Sequence, residues 1–422
     1  MSSGTQKNIF ERRGKIFTFI IFVIIIILLD VICAITFNYI KGEPFSKFLY
    51  EEKRRRWIED LTATEKSYRI PSEIYHHDLK IRASVSLKTT MWDNRQYNLF
   101  TDSLGFKSNS VKETSLVSDK YRILFIGDSF TEGVGMNFED SFVGIVSDKL
   151  LLENIEVLNA GVATYSPMIY WRKTKHLIEE LGLKFNELIV FIDMSDIYDE
   201  AYCYTSGEDE TVIYLNEKVC LGQNEADLKQ RGLQQADPQH GMKYFLKNNT
   251  IISYFFLNKL HDVLLQKEEH PVYDYENMPK YMIAGKRGMW SLDDKLYEEF
   301  GRRGLEKSRL YMEKLAELAR KHNIKMTIAV YPWPAQIFHN DFDSRQVLFW
   351  KKFAAEENIG FINYFPCFLK LNKDRPLKTL DEYFLERDMH WNENGNRLIA
   401  ETFLSYYSNK TNESFNYCHQ GY

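Results

Sequence analysis

At 422 residues the chain exceeds one ordinary domain, so a single large domain with appendages is expected. Hydrophobic residues make up 44% and aromatics 15%, enough to build a substantial core. The net charge of −5 is mild and gives no basis for nucleic acid as a partner.

From Ile16 to about Phe37 the sequence is almost wholly apolar, and about 20 such residues suffice to cross a bilayer as a helix. No small-residue cleavage site follows and no lipobox precedes Cys33, so the run reads as an uncleaved anchor. Residues 1–15 are then a cytoplasmic N-terminus, 16–37 the transmembrane anchor and 38–70 a charged, aromatic linker, helical around 45–61. Asp30 interrupts the apolar run. It either meets a polytopic membrane partner or marks the outer boundary of a shorter span. Lys7, Arg12, Arg13 and Lys15 precede the run, and Lys41, Lys47, Lys53, Arg54, Arg55 and Arg56 follow it. Charge alone therefore gives no orientation.

Residues 71–410 form the main domain, opening with a β-rich lead-in over 71–120. Strands are expected at 122–126, 155–159, 187–192, 325–331 and 359–363. Helices are expected at 140–153, 167–181, 296–322, 343–357 and 394–408. Such alternation reads as an α/β fold, a parallel sheet covered by helices on both faces. The alternation breaks between about 197 and 292, an insertion at the same sheet edge as the first strand's end. It is either a lid or acceptor-binding element or a surface elaboration. Residues 411–422 are a C-terminal tail.

The apolar run Ile123–Ile126 stops at Gly127-Asp128-Ser129, and a helical pattern follows. A serine is thus set at the carboxyl end of a buried strand, where ligands bind in open α/β sheets and where helix amides favour negative charge. It is either a nucleophile or a helix cap. A base is available near the C-terminus. Asp388 and His390 lie two apart, on one side of an extended segment. The carboxylate can hold one imidazole nitrogen while the other faces Ser129, the nucleophile–base–orienter arrangement of a serine triad.

These blocks resemble those of the SGNH (GDSL-type) hydrolases. Gly127-Asp128-Ser129-Phe130 is similar to the first block, with Ser129 at the nucleophile position. Asn159-Ala160-Gly161 is similar to the second, whose glycine amide helps form the oxyanion hole. Asp388 and His390 match the late block in the Asp-x-His form of membrane-linked glycan acyltransferase relatives. A Thr-x-Ser-Leu-Gly-Phe segment at 101–106 resembles one found in anchored members. The third block departs: Asp193-Met194-Ser195-Asp196 stands where many members carry Gly-x-Asn-Asp. The asparagine donor is absent, and Ser195 either fills its place or caps the next segment. The resemblance covers roughly 100–410. It implies a three-layer, flavodoxin-like sheet, an acyl-serine intermediate, and Ser129, Gly161 and Ser195 as oxyanion donors.

The outcome implied is a serine esterase or O-acyltransferase on O-acetyl esters of an envelope glycan. An accessory acyl-relay subunit of a polytopic membrane O-acyltransferase, or a non-catalytic glycan-binding scaffold, are the alternatives. Trp333, in Tyr331-Pro332-Trp333-Pro334, is a candidate for stacking on substrate sugar rings or a packed core residue. Asp128 is assigned to ordering its turn. His76, His77 and His176 lack ligand spacing, so no metal or cofactor is implied. Cys203 and Cys220 bracket a hairpin-like stretch that an oxidising compartment would staple, with Cys367 and Cys418 completing an even set. With the resemblance, this favours a catalytic domain outside the cytoplasm.

Overall fold

The structure is a computed structural model that describes residues 3–42, 66–88, 95–215, 242–253, 286–371, 373–385 and 388–408, with a few single positions between. The expected linker helix, the C-terminal tail, Cys220, Cys418 and most of the insertion lie outside the described residues. The chain divides into two compact units, Met1–Ala63 with Gln235–Asp274, and Thr64–Gln234 with Tyr275–Tyr422.

In the first unit, helix α1 (Ser3–Lys41) contains a stretch, Ile21–Lys41, long and apolar enough to cross a membrane. Its Phe22, Ile24 and Leu28 side chains are exposed among the described residues. Asp30 is buried, and its oxygens accept the backbone N–H groups of Ile251 (2.9 Å), Ile252 (2.8 Å) and Ser253 (2.7 Å). Asn38 Nδ2 donates to Asn248 O, in the helix Met242–Asn249, at 3.0 Å. Of the two readings of Asp30, contact with a separate membrane protein is not needed to satisfy the carboxylate: three amides of its own chain occupy it.

The second unit is built on one eight-stranded sheet. Its strands, in chain order, are β3 (Ser84–Lys88), β4 (Gln96–Thr101), β5 (Lys107–Ser108), β6 (Tyr121–Ile126), β7 (Ile155–Asn159), β8 (Glu187–Ile192), β11 (Lys325–Val330) and β12 (Gly360–Asn363). Two separate hairpins supply β1 (Arg69–Ser72) with β2 (His76–Leu79), and β9 (Tyr204–Ser206) with β10 (Val212–Tyr214). The sheet order is β12-β11-β8-β6-β7-β5-β4-β3, parallel from β12 to β7 and antiparallel beyond. The apolar runs Ile123–Ile126 of β6 and Leu188–Ile192 of β8 are buried throughout, as continuous apolar runs in a two-sided sheet must be. The β-rich lead-in thus contributes the separate β1–β2 hairpin and extends the main sheet through β3–β5.

The helices that position the site are α2 (Ser129–Glu132), α3 (Phe142–Leu151), α4 (Pro167–Lys175), α5 (Asp196–Tyr202), α6 (Arg302–Lys321), α7 (Pro334–Phe338), α8 (Arg345–Glu357) and α9 (Glu393–Ser408). Right-handed crossovers put α3 on one face, joined by α9, and α4, α6 and α8 on the other. This is the α/β fold with helices on both faces, in the flavodoxin-like strand order. Two expected helices are broken by single wide turns. The 167–181 helix passes into one at His176–Glu180, and the 296–322 helix starts with one at Tyr297–Gly301.

Strand order reverses at β6, between β7 and β8, which opens a crevice beyond their carboxyl ends. Register aligns those ends: Ile126 pairs with Val190, and Ile192 with Val330. The residues that follow, Asp128–Ser129, Asp193–Asp196 and Tyr331, are delivered side by side. Cys203 and Cys367 are each disulfide-bonded, whereas Cys33 is free.

Candidate active site

Ser129 opens α2, with Asp128 as its N-cap accepting Phe130 N–H at 3.0 Å. The turn from β6 into α2 is so tight that a side chain at Gly127 would stand 2.1 Å from Thr131 Oγ1. Among the described residues, nothing accepts the Ser129 N–H, which leaves one orphan donor of a helix start beside its hydroxyl.

The segment bearing His390 is closed by a bridge between Phe384 and Trp391 and by Leu385 N–H donating to His390 O at 2.9 Å. Asn392 anchors the exit: its Oδ1 accepts Asn394 N–H and Gly395 N–H at the start of α9. Trp391 is buried against Phe130 and Tyr331, with ring centroids at 4.6 and 4.8 Å. His390 Nε2 then lies 2.8 Å from Ser129 Oγ, and Nδ1 lies 2.5 Å from Asp388 Oδ1. The three triad candidates thus meet, across 261 positions of sequence. The Phe130 ring lies tilted beside the imidazole, centroids 4.6 Å apart, which limits its rotation.

Burial pulls the His390 imidazole towards its neutral form. The charge and hydrogen bond of Asp388, with Asp193 behind, outweigh it, so its pKa lies above the ordinary value. An imidazole so placed can take the Ser129 proton and hold it as an imidazolium.

Behind Ser129 lies a feature that sequence reasoning missed. Asp128, Asp193 and Asp196 are buried, with carboxyl oxygens within 4.8 Å of one another. Asp193 Oδ1 accepts the N–H and hydroxyl of Ser195, and its Oδ2 accepts Trp333 Nε1–H at 2.7 Å. Asp196 Oδ2 accepts Asp193 N–H at 3.0 Å and the Tyr170 hydroxyl at 2.9 Å. Asp128 Oδ1 also accepts the Tyr331 hydroxyl at 3.3 Å. They are close enough to bracket a cation, yet both oxygens of Asp193, Asp128 Oδ1 and Asp196 Oδ2 already accept protein donors and Asp128 Oδ2 lies 3.1 Å from Ser129 Oγ, so this is not a free ligand set. Burial first, then mutual repulsion, push Asp128 and Asp196 well above the usual carboxylate range. The visible signal was an aspartate just beyond each of two adjacent buried strands.

Two expected site residues are corrected. Ser195 is 5% exposed, and both its N–H and its hydroxyl donate to Asp193, so neither is free for an oxyanion or for capping α5. Trp333 is also 5% exposed; its N–H is committed to Asp193, and an added Cβ at Gly288 would stand 2.7 Å from its ring. Its ring is packed in the protein and not presented to a sugar. Gly161 packs against α2, where a side chain would stand 2.7 Å from Thr131 Cβ. Its N–H reaches Asn159 Oδ1 at 3.1 Å, an acceptor it would exchange to serve an oxyanion.

No family model matches this chain, and no curated protein matches it. Solved structures do. One is the acetylxylan esterase Axe2 from Geobacillus stearothermophilus, at 13% identity and TM-score 0.37, covering 73% of this chain and 100% of that one. Another is the psychrotrophic esterase EstA from Pseudoalteromonas sp., at 12% identity and TM-score 0.33, covering 69% of this chain and 99% of that one. Similarity at this level leaves the chemistry to the residues described above.

Proposed function

We propose that the chain is a membrane-anchored SGNH-type serine esterase or O-acyltransferase, acting on acyl esters, O-acetyl esters foremost, of a cell-envelope glycan. The observation that carries this reading is the hydrogen-bonded line Asp388–His390–Ser129 at the carboxyl end of β6. The Ser129–Gly161 region, with its main-chain donors, is the proposed oxyanion site. The apolar Ile21–Lys41 helix supports the anchor. The disulfides at Cys203 and Cys367 support an oxidising, extracytoplasmic location for the catalytic unit.

In the first step His390 Nε2 takes the Ser129 hydroxyl proton as Oγ bonds to the ester carbonyl carbon. The carbonyl electron pair moves onto oxygen, facing the Ser129 and Gly161 N–H groups. Collapse breaks the ester C–O bond, and the imidazolium returns its proton to the leaving alcohol. The acyl-serine is then attacked by water, giving an esterase, or by a sugar hydroxyl, giving a transferase; His390 takes the incoming proton and hands it to Oγ. Asp388 keeps Nδ1 protonated throughout.

The acyl-relay reading has one observation in its favour. With Ser195 tied to Asp193, a third oxyanion donor is missing, and one donor is worth roughly 100- to 1,000-fold in rate. Slow release of an acyl-serine to water suits a protein that passes its acyl group to an acceptor. The test is turnover of a chromogenic acetyl ester by the full chain in detergent. Steady release abolished by Ser129→Ala and His390→Ala supports the enzyme. A stoichiometric burst relieved by an added glycan acceptor supports transfer or relay, and no release at all leaves the scaffold.

A further inference from the structure

We infer that Asp128 is a neutral carboxylic acid that donates its proton to Ser129 Oγ, and so turns the serine's own hydroxyl hydrogen towards His390. This deepens the serine-nucleophile reading and rests on it. The inference starts from a conflict at Ser129. Its hydroxyl has one hydrogen but two neighbours able to accept it, His390 Nε2 at 2.8 Å and Asp128 Oδ2 at 3.1 Å. An ionised Asp128 would be the stronger acceptor and would draw the hydrogen away from the base. A protonated Asp128 reverses that bond.

The surroundings of Asp128 favour the protonated form. Facing it are Asp193 and Asp196 from the β8–α5 turn, Tyr331 after β11, Tyr170 on α4, and His390 from the C-terminal loop. Three buried carboxyls at this spacing cannot all ionise. Asp193 is the most closely hydrogen-bonded of the three. It accepts the two donors of Ser195 and the indole of Trp333, and the Arg287 guanidinium, paired with Asp199, adds its field. The groups around Asp128 stand farther off, Phe130 N–H at 3.0 Å, Ser129 Oγ at 3.1 Å and the Tyr331 hydroxyl at 3.3 Å, against 2.5–2.7 Å on Asp193, and burial together with Asp193 raises its proton affinity.

Geometry also selects the atom that carries the proton. Asp128 Oδ1 accepts both Phe130 N–H and the Tyr331 hydroxyl, which leaves Oδ2, the oxygen nearest Ser129. The donors then run in one direction, Asp128 to Ser129 to His390, with Nδ1–H of His390 closing on Asp388. Asp128 is thus a positioning residue: it orients the nucleophile's hydrogen without itself taking the substrate.

Two measurements on the full chain in detergent test this. The first does not depend on turnover. An infrared difference spectrum of the wild type against Asp128→Asn at neutral pH should show the C=O stretch of a protonated carboxyl, and Asp196→Asn should leave that contribution in place. A carboxylate signature lost from Asp128→Asn instead, or a protonated band that vanishes only in Asp196→Asn, overturns the inference. The second is the pH profile of acetyl ester turnover. The wild type should lose activity at alkaline pH as Asp128 ionises. Asp128→Ala should lower kcat about 10-fold or more with little change in KM, while Asp128→Asn, whose amide can still donate, should restore most of that loss and remove the alkaline decline. An Asp128→Asn enzyme as impaired as Asp128→Ala, or with the wild-type decline intact, overturns it. A wild type with no turnover would defeat the esterase reading and leave the infrared result to stand or fall separately.

Discussion

Asp388 grips His390 twice through one oxygen: Oδ1 accepts the main-chain N–H of His390 at 2.8 Å and its Nδ1 at 2.5 Å. One carboxylate oxygen therefore sets both the backbone turn and the imidazole tautomer. Asp388→Ala should lower kcat for an acetyl ester by about 10²- to 10⁴-fold with a smaller change in KM, the scale expected when a general base loses its orienter. A variant with near-normal kcat would remove Asp388 from the triad.

The same pairing sets the acid limb of the pH profile. The His390 pKa is raised, so the neutral imidazole needed for attack forms only above the ordinary value of about 6.5. A plot of kcat/KM against pH should rise with a midpoint above that value. In residual activity of Asp388→Ala the midpoint should fall, because the charge that favours the imidazolium is gone while burial remains.

The carboxyl cluster should make the protein sensitive to rising pH. Asp196 has a folded pKa above its unfolded one, so the folded state binds more protons between the two values and loses stability as pH rises through that window. Asp196→Asn keeps an acceptor for Asp193 N–H and the Tyr170 hydroxyl without the charge. Its Tm should exceed the wild type's at neutral pH, and the gap should close on acidification towards about pH 4, the ordinary carboxylate range. An equal or lower Tm for the variant at neutral pH would contradict this.

Trp333 should act on stability and not on affinity. Trp333→Ala should cost about 3–5 kcal/mol, as for other buried tryptophans. Trp333→Phe should cost about 1–3 kcal/mol by leaving Asp193 Oδ2 without its donor. KM for a small acetyl ester should stay close to wild type in any Trp333→Phe protein that folds. A raised KM at unchanged Tm would restore the sugar-stacking role.

What the sequence revealed follows from the range of the forces involved. The buried strands were legible because a two-sided parallel strand needs an unbroken apolar run, as in Leu188–Ile192. Asp388 and His390 were legible because two-residue spacing on an extended segment puts both on one side. The meeting of Asp128, Asp193 and Asp196 was not, because it depends on the register of β6 against β8. Trp333 and Ser195 each kept two readings for the same reason: both side chains are claimed by Asp193, a partner that only the fold supplies. Asp30 likewise finds its partners more than 220 positions away, at Ile251–Ser253.

The division into two units has a consequence for how the catalytic part could be shed. The polypeptide passes from one unit to the other at Ala63–Thr64, at Gln234–Gln235 and at Asp274–Tyr275. Scission at the first junction alone leaves two covalent connections intact, besides the grip of Asp30 on Ile251–Ser253. A cleavage site engineered at Ala63–Thr64 should therefore leave esterase activity in the pelleted fraction after complete digestion. Soluble release would require the chain to be cut at Gln234–Gln235 and at Asp274–Tyr275 as well.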